Sequence, residues 1–508
     1  MATSSGRPFR RRVLLNTVST GAANLWAIVV ALATLPLLLH GLGAQAFGTW
    51  VLLQTFSAIT GWFSLVDLGV GTATARAVAE RASLGDEHGV RTTSATSMGL
   101  FLAFGVVCAA GLVLAGERWF PSLFHTPAAL RSDLRFAIGL FSLQLVLDLL
   151  TEGAESCLEG LQRIDFSRAV DALRRTLVAG ATALVALEGG GLRGVAAASL
   201  VTSAIGTVVA LGLLVRIVPA GRFVPNRKEA RALMAYGRAV AVLRPLGVIQ
   251  RTMDRLIVGS VIGPSAVALV EIATQIQNGA DAVLSATTYT VVPGAAWLRA
   301  RGDATSLREL LETGTKYSLL VTFPVVALAA VLAGPLVRLW VGAGYHRDAP
   351  ALAVVALLYI AATAPLQVGS SLLLGVGKAR AVLRAAAVAV VVNLVASLVL
   401  VHVVGVVGVF QGTLIGTAFL IPPLGRSILR EAGTTLRQFV RQALVPAVVP
   451  TLVLLVVAGA AVVAPLGNVL TVVLGGGVGV LAYAVAASRL SMRSGELAEL
   501  RDTVFRRD

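Results

Sequence analysis

Apolar runs of about twenty residues recur along the whole 508-residue chain, and each is long enough to carry a helix across about 30 Å of hydrocarbon. Fourteen can be marked, centred near residues 27, 60, 104, 147, 178, 206, 249, 280, 326, 363, 392, 415, 453 and 478. The runs are continuous rather than alternating, which specifies helices and not a membrane β-barrel. Charged residues make up 13% of the chain, about half the share of a soluble domain, and hydrophobic residues 56%. The expected fold is therefore an all-α integral membrane protein with about 14 transmembrane helices. The first run, Val13 to Leu39, is too long for a signal peptide and lacks a small-residue cleavage site, so it is expected to be retained.

The net charge of +16 would suit nucleic acid if it were clustered, but it is distributed by topology. With the amino terminus inside, 33 of the 42 basic residues fall on that side of the membrane. Among them are Arg10 to Arg12, Arg76, Arg81, Arg168, Arg174, Arg175, Arg227, Lys228, Arg299 and Lys378. This is the positive-inside pattern; it predicts two cytoplasmic termini, a cytoplasmic (inner) membrane location and no nucleic-acid partner. Cys108 and Cys157 are isolated within runs, and the five histidines show no ligand spacing, so neither a disulfide framework nor a metal site is expected.

The most polar stretch in mid-chain, 219–233, divides the runs into two sets of six. The expected plan is a first lobe over 1–218, a cytoplasmic connection at 219–233 and a second lobe over 234–424. Two accessory helices over 425–488 and a cytoplasmic tail over 489–508, with a surface helix, complete it. A weak repeat supports two halves: Leu42-Gly43-Ala44-Gln45-Ala46-Phe47-Gly48 is echoed by Ile262-Gly263-Pro264-Ser265-Ala266-Val267-Ala268. The longest outward loop, Gly116 to Leu134, carries Trp119, Phe120 and Phe124, which suit an interfacial anchor.

Several runs carry charge that cannot face lipid. On the seventh, Arg244, Arg251 and Arg255 fall within about 40° of one another and form a line about 16 Å long, with Asp254 beside it. On the fourth, Asp148, Glu152, Glu155 and Glu159 share an arc of about 60°. The eighth offers Glu271, Gln275, Asn278 and Asp281, the first Asn24 with Asn16 and Thr20, and the tenth Gln367. One reading makes the arginines and carboxylates structural salt bridges. A buried pair breaks even at best, however, so a watery cavity is the stronger expectation. Arginine holds its charge and grips phosphate bidentately, so Arg244, Arg251 and Arg255 are the expected site for an anionic, pyrophosphate-like headgroup. Asp148, Glu152, Glu155, Glu159, Asp254 and Glu271 are the candidates for proton or ion coupling, and Asn24, Gln275, Asn278, Asp281 and Gln367 for the cavity lining. The companion ion would be H+ or Na+, with no other cofactor.

The segments Leu42-Gly-Ala-Gln-Ala-Phe-Gly-Thr-Trp50 and Leu65-Val-Asp-Leu-Gly-Val-Gly71 resemble the opening of polysaccharide-biosynthesis membrane proteins. Glu159-Gly-Leu-Gln-Arg163 and Met253-Asp-Arg-Leu-Ile-Val-Gly259 resemble the same family at matching places. These are the lipid-linked oligosaccharide (O-antigen, Wzx-type) flippases of the multidrug/oligosaccharidyl-lipid/polysaccharide (MOP) exporter superfamily. The resemblance implies two pseudo-symmetric six-helix lobes, MATE-like, plus two further helices. It also implies a polyprenyl-pyrophosphate-linked glycan turned across the membrane by alternating access, a cationic cavity, and a downstream polysaccharide polymerase or ligase as partner. A monomer is expected. The acidic stripe of the fourth run is heavier than this family leads one to expect.

Three alternatives stand beside that reading. A MATE-like drug or organic-cation exporter would use an acidic, aromatic cavity; the acidic stripe agrees, the arginine line and 6% aromatic content do not. A lipid-linked peptidoglycan precursor flippase shares the charge logic. A membrane glycosyltransferase or polymerase would need larger outward loops with clustered acid and base groups, so a transporter rather than an enzyme is expected. No phosphate-cradling glycine-lysine loop occurs in the sequence.

Overall fold

The computed structural model describes residues 6–218, 221–222, 224–241, 244–288, 291–345, 347–464 and 467–491. The described residues are almost entirely helical, and their contacts divide the chain into two compact units, Met1–Ala268 and Leu269–Asp508. Among the described residues, ten helices are long and apolar enough to cross a membrane.

The first unit contains α1 (Gly6–Gln54), α2 (Val70–Ser83), α3 (Glu87–Gly111), α4 (Glu117–Leu123), α5 (Arg131–Gly160), α6 (Ile164–Leu187), α7 (Gly191–Ile217), α8 (Arg227–Ala241) and α9 (Arg244–Val261). The division between the units falls early in α10 (Pro264–Thr288). α1 is two helices merged across Gly43, whose φ of 71° is open to glycine at no steric cost. Its second arm packs on the start of α10, so closely that a Cβ on Gly48 would sit 1.7 Å from the Pro264 carbonyl oxygen. The two copies of the repeated turn thus touch.

The second apolar run, expected as one helix centred near residue 60, is broken there. Helix stops at Gln54 and resumes at Val70, with a single 3-10 turn at Trp62–Leu65 between. A break inside a membrane is tolerated only where its backbone groups find partners. Ser57 Oγ accepts from the Gly61 amide at 3.1 Å, the Trp62 amide donates to the Thr55 carbonyl at 3.0 Å, and the Asp67 carboxylate accepts from the Gly69 amide at 2.8 Å. The chain turns at Leu68 and Gly69, with φ of 47° and 75°.

The stretch expected as the cytoplasmic connection, 219–233, is helical from Arg227, and that helix belongs to the first unit. α8 lays Leu233 and Gly237 against α2 and α3, while Arg227, Lys228, Arg231 and Arg238 stay exposed. Gly237 approaches the break backbone to backbone: a Cβ there would lie 2.6 Å from the Leu68 carbonyl oxygen. Arg81 pairs with Glu229 at 2.6 Å, Thr93 donates to the same carboxylate at 3.1 Å, and Arg76 stacks on Tyr236 at 4.5 Å. The segment expected as the longest outward loop, Gly116 to Leu134, is also partly helical. Trp119 is exposed, but Phe120 and Phe124 are buried, their rings 4.5 Å apart, with Phe56 against Phe120. Two of the three expected interfacial anchors are therefore core residues.

The second unit holds most of α10, then α11 (Val291–Ala300), α12 (Ala304–Val331), α13 (Ala333–Trp340), α14 (Ala349–Gly375), α15 (Ala379–Val404), α16 (Val406–Ala432), α17 (Leu436–Phe439), α18 (Val445–Val463) and α19 (Asn468–Leu490). A π-helical turn, Val440–Leu444, joins α17 to α18. α15 pairs with α16 and α18 with α19, and α18 also lies along α12. Glu431 takes Arg299 at 3.4 Å and Lys378, and Glu312 takes Arg308 at 3.0 Å and the Thr434 hydroxyl, on helix ends that the sequence assigns to the cytoplasm. The surface helix expected within 491–508 lies outside the described residues apart from Ser491.

Candidate functional site

The acidic stripe of α5 meets Arg174, which its place in the sequence groups with the topogenic cations. Arg174 of α6 is 8% exposed and Asp148 3% exposed; the guanidinium lies 3.5 Å from the Asp148 carboxylate. Gln144 donates to the other Asp148 oxygen at 3.2 Å. Arg174 also reaches Asp171 at 3.4 Å, and Arg175 Nε lies 2.9 Å from both Asp171 oxygens. Toward the start of α6, Arg168 meets Glu159 at 3.4 Å and the Ser167 hydroxyl donates to it at 3.3 Å. Glu155 lies between, within the fields of Asp171, Arg174, Glu159 and Arg168.

Local sequence explains this placement. Asp165, Arg168, Asp171, Arg174 and Arg175 recur at three- and four-residue spacing, so they form one charged face on the first half of α6. On α7, a Cβ at Gly206 would sit 3.1 Å from Arg174 Cγ, so the missing side chain makes room for the arginine stem. The Thr151 and Thr207 hydroxyls are 2.9 Å apart and join α5 to α7 nearby. The ladder contains five carboxylates (Asp148, Glu152, Glu155, Glu159 and Asp171) and three guanidiniums (Arg168, Arg174 and Arg175). It is acid-rich when fully ionised. Arg174 and Asp171 are the members that sequence reading missed; the charge that weakens α6 as an apolar run was the available signal.

Of the arginine line on α9, Arg251 is exposed and Arg255 part-buried, with Asp254 beside Arg255. The side chain of Arg244 lies outside the described residues, as does that of Asn24. α9 packs on α1 and on the 3-10 turn of the broken second run; its Gly259 faces Leu52 and Phe124. The arginines thus stand on the helix that abuts the discontinuity. In the second unit, Gln275 donates to Glu271 at 2.7 Å, and Glu271 is buried. Asn278 and Asp281 are exposed and Gln367 is part-buried. No group of three or more His, Cys, Asp or Glu suited to a metal ion occurs among the described residues.

An all-helical membrane protein with a broken helix and charge inside its bundle has counterparts among solved structures. The Lipid II flippase MurJ in an inward closed conformation matches with TM-score 0.72 and 13% identity, covering 94% of this chain and 98% of that one. An inward-facing multidrug resistance MATE family transporter of the MOP superfamily matches with TM-score 0.61 and 18% identity, covering 82% and 95%. The bent conformation of a MATE protein matches at 0.51 and 17%, covering 85% and 98%. The class is therefore that of multi-spanning membrane proteins with the MATE and MurJ fold. No curated protein matches the sequence. The family model for polysaccharide biosynthesis proteins matches residues 42–350, well over half of the chain, and the protein belongs to that family.

Proposed function

We propose that this protein is a flippase that moves a polyprenyl-pyrophosphate-linked oligosaccharide from the inner to the outer leaflet of the cytoplasmic membrane by alternating access. Membership of the polysaccharide biosynthesis family supports a glycan cargo, and the likeness in fold to a lipid II flippase supports a lipid-linked one. The observation that carries the reading is the exposed guanidinium of Arg251, with Arg255 one turn away, on a helix packed against a membrane break. A guanidinium fork binds a diphosphate bidentately without a change of protonation. Arg244 is the third member of this proposed headgroup site.

The acid-rich ladder is the proposed coupling site, with H+ or Na+ as the ion. Carboxylates in a low-dielectric setting exchange a proton or a monovalent cation as access changes. Asp254 and Glu271 extend the coupling set, and Asn24, Gln275, Asn278, Asp281 and Gln367 the polar lining. The protein acts as a transporter without chemistry on its cargo, beside membrane lipids and a downstream polymerase or ligase. The same ladder favours a second reading, a MATE-like exporter of organic cations, since surplus carboxylates attract such cargo.

The test uses a strain lacking the protein, in which labelled lipid-linked glycan is assayed for access from outside the cytoplasmic membrane. Restoring the native chain should restore access; restoring the Arg251→Ala, Arg255→Ala variant at equal membrane level should not. Equal restoration by both would remove the arginines from the headgroup site. Export of an organic cation without glycan movement would favour the second reading.

A further inference from the structure

The second unit holds a cavity of about 580 Å³ between α12, α14, α16 and the α17–π-turn segment. That is the size of a site for a drug- or lipid-sized ligand, which spans roughly 300–1,000 Å³. Its wall includes Phe323, Ala361, Leu366, Ile421 and Phe439, and its single charged lining residue is Arg426. With the orientation that the placement of lysine and arginine leads one to expect, its Leu436 end would lie at the cytoplasmic interface and its Phe323 end nearer mid-membrane. Such a slot has the shape of an inner-leaflet acyl chain.

The charge on the wall, Arg426, and on the segments that form it selects the headgroup. Arg426, Arg430, Arg437 and Arg441 are all exposed, and none forms an ion pair among the described residues. The nearby carboxylates are already taken: Glu431 by Arg299 and Lys378, Glu312 by Arg308. Cations next to the inner membrane surface attract anionic lipid, and a guanidinium adds bidentate geometry toward phosphate. Backbone shape keeps the slot open. Pro365 and Pro422 break the ridges of α14 and α16, and a Cβ on Gly425 would meet nothing closer than Leu366 at 4.0 Å.

We infer that this cavity binds one anionic glycerophospholipid of the inner leaflet, with an acyl chain in the slot and the phosphate on Arg426. The site lies within the second unit, apart from the arginines of α9, and stands or falls independently of the cargo. Binding of phosphatidylglycerol, and of phosphatidylcholine with the same chains, is titrated on the full-length chain delipidated in neutral detergent. Three variants are compared: Arg426→Ala, the cavity-filling Gly425→Leu, and Arg380→Ala, which removes an equal charge from the exposed start of α15. Ala362→Leu serves as a second filling variant if Gly425→Leu does not elute as a folded, monodisperse protein.

Phosphatidylglycerol should bind about tenfold more tightly than phosphatidylcholine, as one charge-assisted contact implies. Arg426→Ala should erase that preference, Arg380→Ala should keep it, and filling should weaken both lipids. Equal binding of the two lipids by the native chain overturns the proposal. So does equal loss with Arg380→Ala, undiminished binding after filling, or displacement of phosphatidylglycerol by glycerol 3-phosphate at matching concentration, which would leave the acyl chain no role.

Discussion

The Arg174 guanidinium lies 3.5 Å from the Asp148 carboxylate, with side chains only 9% and 3% exposed. This pair ties α5 to α6 inside the first unit and anchors one end of an alternating ladder of acids and arginines. Removing Arg174 leaves Asp148 buried without a counter-charge, whereas Arg174 keeps Asp171 at 3.4 Å when Asp148 is removed. Arg174→Leu should therefore lower stability by about 3–5 kcal/mol, and Arg174→Leu combined with Asp148→Leu should recover much of the loss. Thermal unfolding of the four proteins in one detergent checks this through the coupling energy.

Gly237 and the Leu68 carbonyl touch so closely that a side chain at position 237 must push α8 away. Gly237→Val should loosen α8 from the broken run and speed protease cleavage within 219–241, whereas Arg231→Ala, on the exposed face, should not. Cleavage rates of the folded proteins provide the comparison.

Glu155 stands between Arg174 and Arg168, where a proton or cation would alter the balance of the ladder. In proteoliposomes carrying labelled lipid-linked glycan, Glu155→Gln should flatten the response of transport to an imposed pH or sodium gradient while leaving glycan binding intact. A gradient response identical to that of the native protein would assign coupling elsewhere.

Asp303 caps α12 outside the membrane-spanning part, accepting from the Ser306 amide at 3.0 Å and its hydroxyl at 2.6 Å. The Ser306 hydroxyl and amide hold this carboxyl below its ordinary 3.8. A depressed value means that the cap's contribution is present above the unfolded value and is lost as pH falls through the folded one. Asp303→Ala should thus unfold at a lower temperature than the native chain at pH 7, and the gap should narrow below about pH 4. Melting curves at the two pH values decide it.

Phe120 is 4% exposed, its ring tilted against that of Phe124 with centroids 4.5 Å apart, while Trp119 is 65% exposed. Phe120→Ala should cost about 3–5 kcal/mol through lost packing and a cavity, and Trp119→Ala well under 1. Chemical unfolding in mixed micelles separates the two.

Some of this was legible along the chain and some was not. Apolar run length and the placement of lysine and arginine are properties of successive residues, so helical membrane character and the expected orientation could be read directly. The family resemblance rested on short segments such as Leu42 to Trp50, and the match over 42–350 agrees with it. Arg174 could not be read this way: its type and loop position matched the other topogenic cations, and only the rotation of α6 against α5 and the gap at Gly206 turn it toward Asp148. The break at 55–69 was likewise hidden, because an apolar run records transfer energy and says nothing of where Ser57 and Asp67 will satisfy the backbone. Sequence by itself determined that this chain must live in a membrane as helices; which buried charges meet, and where a helix stops short, was decided by packing in three dimensions, since those energies depend on distance and orientation between segments remote in the chain.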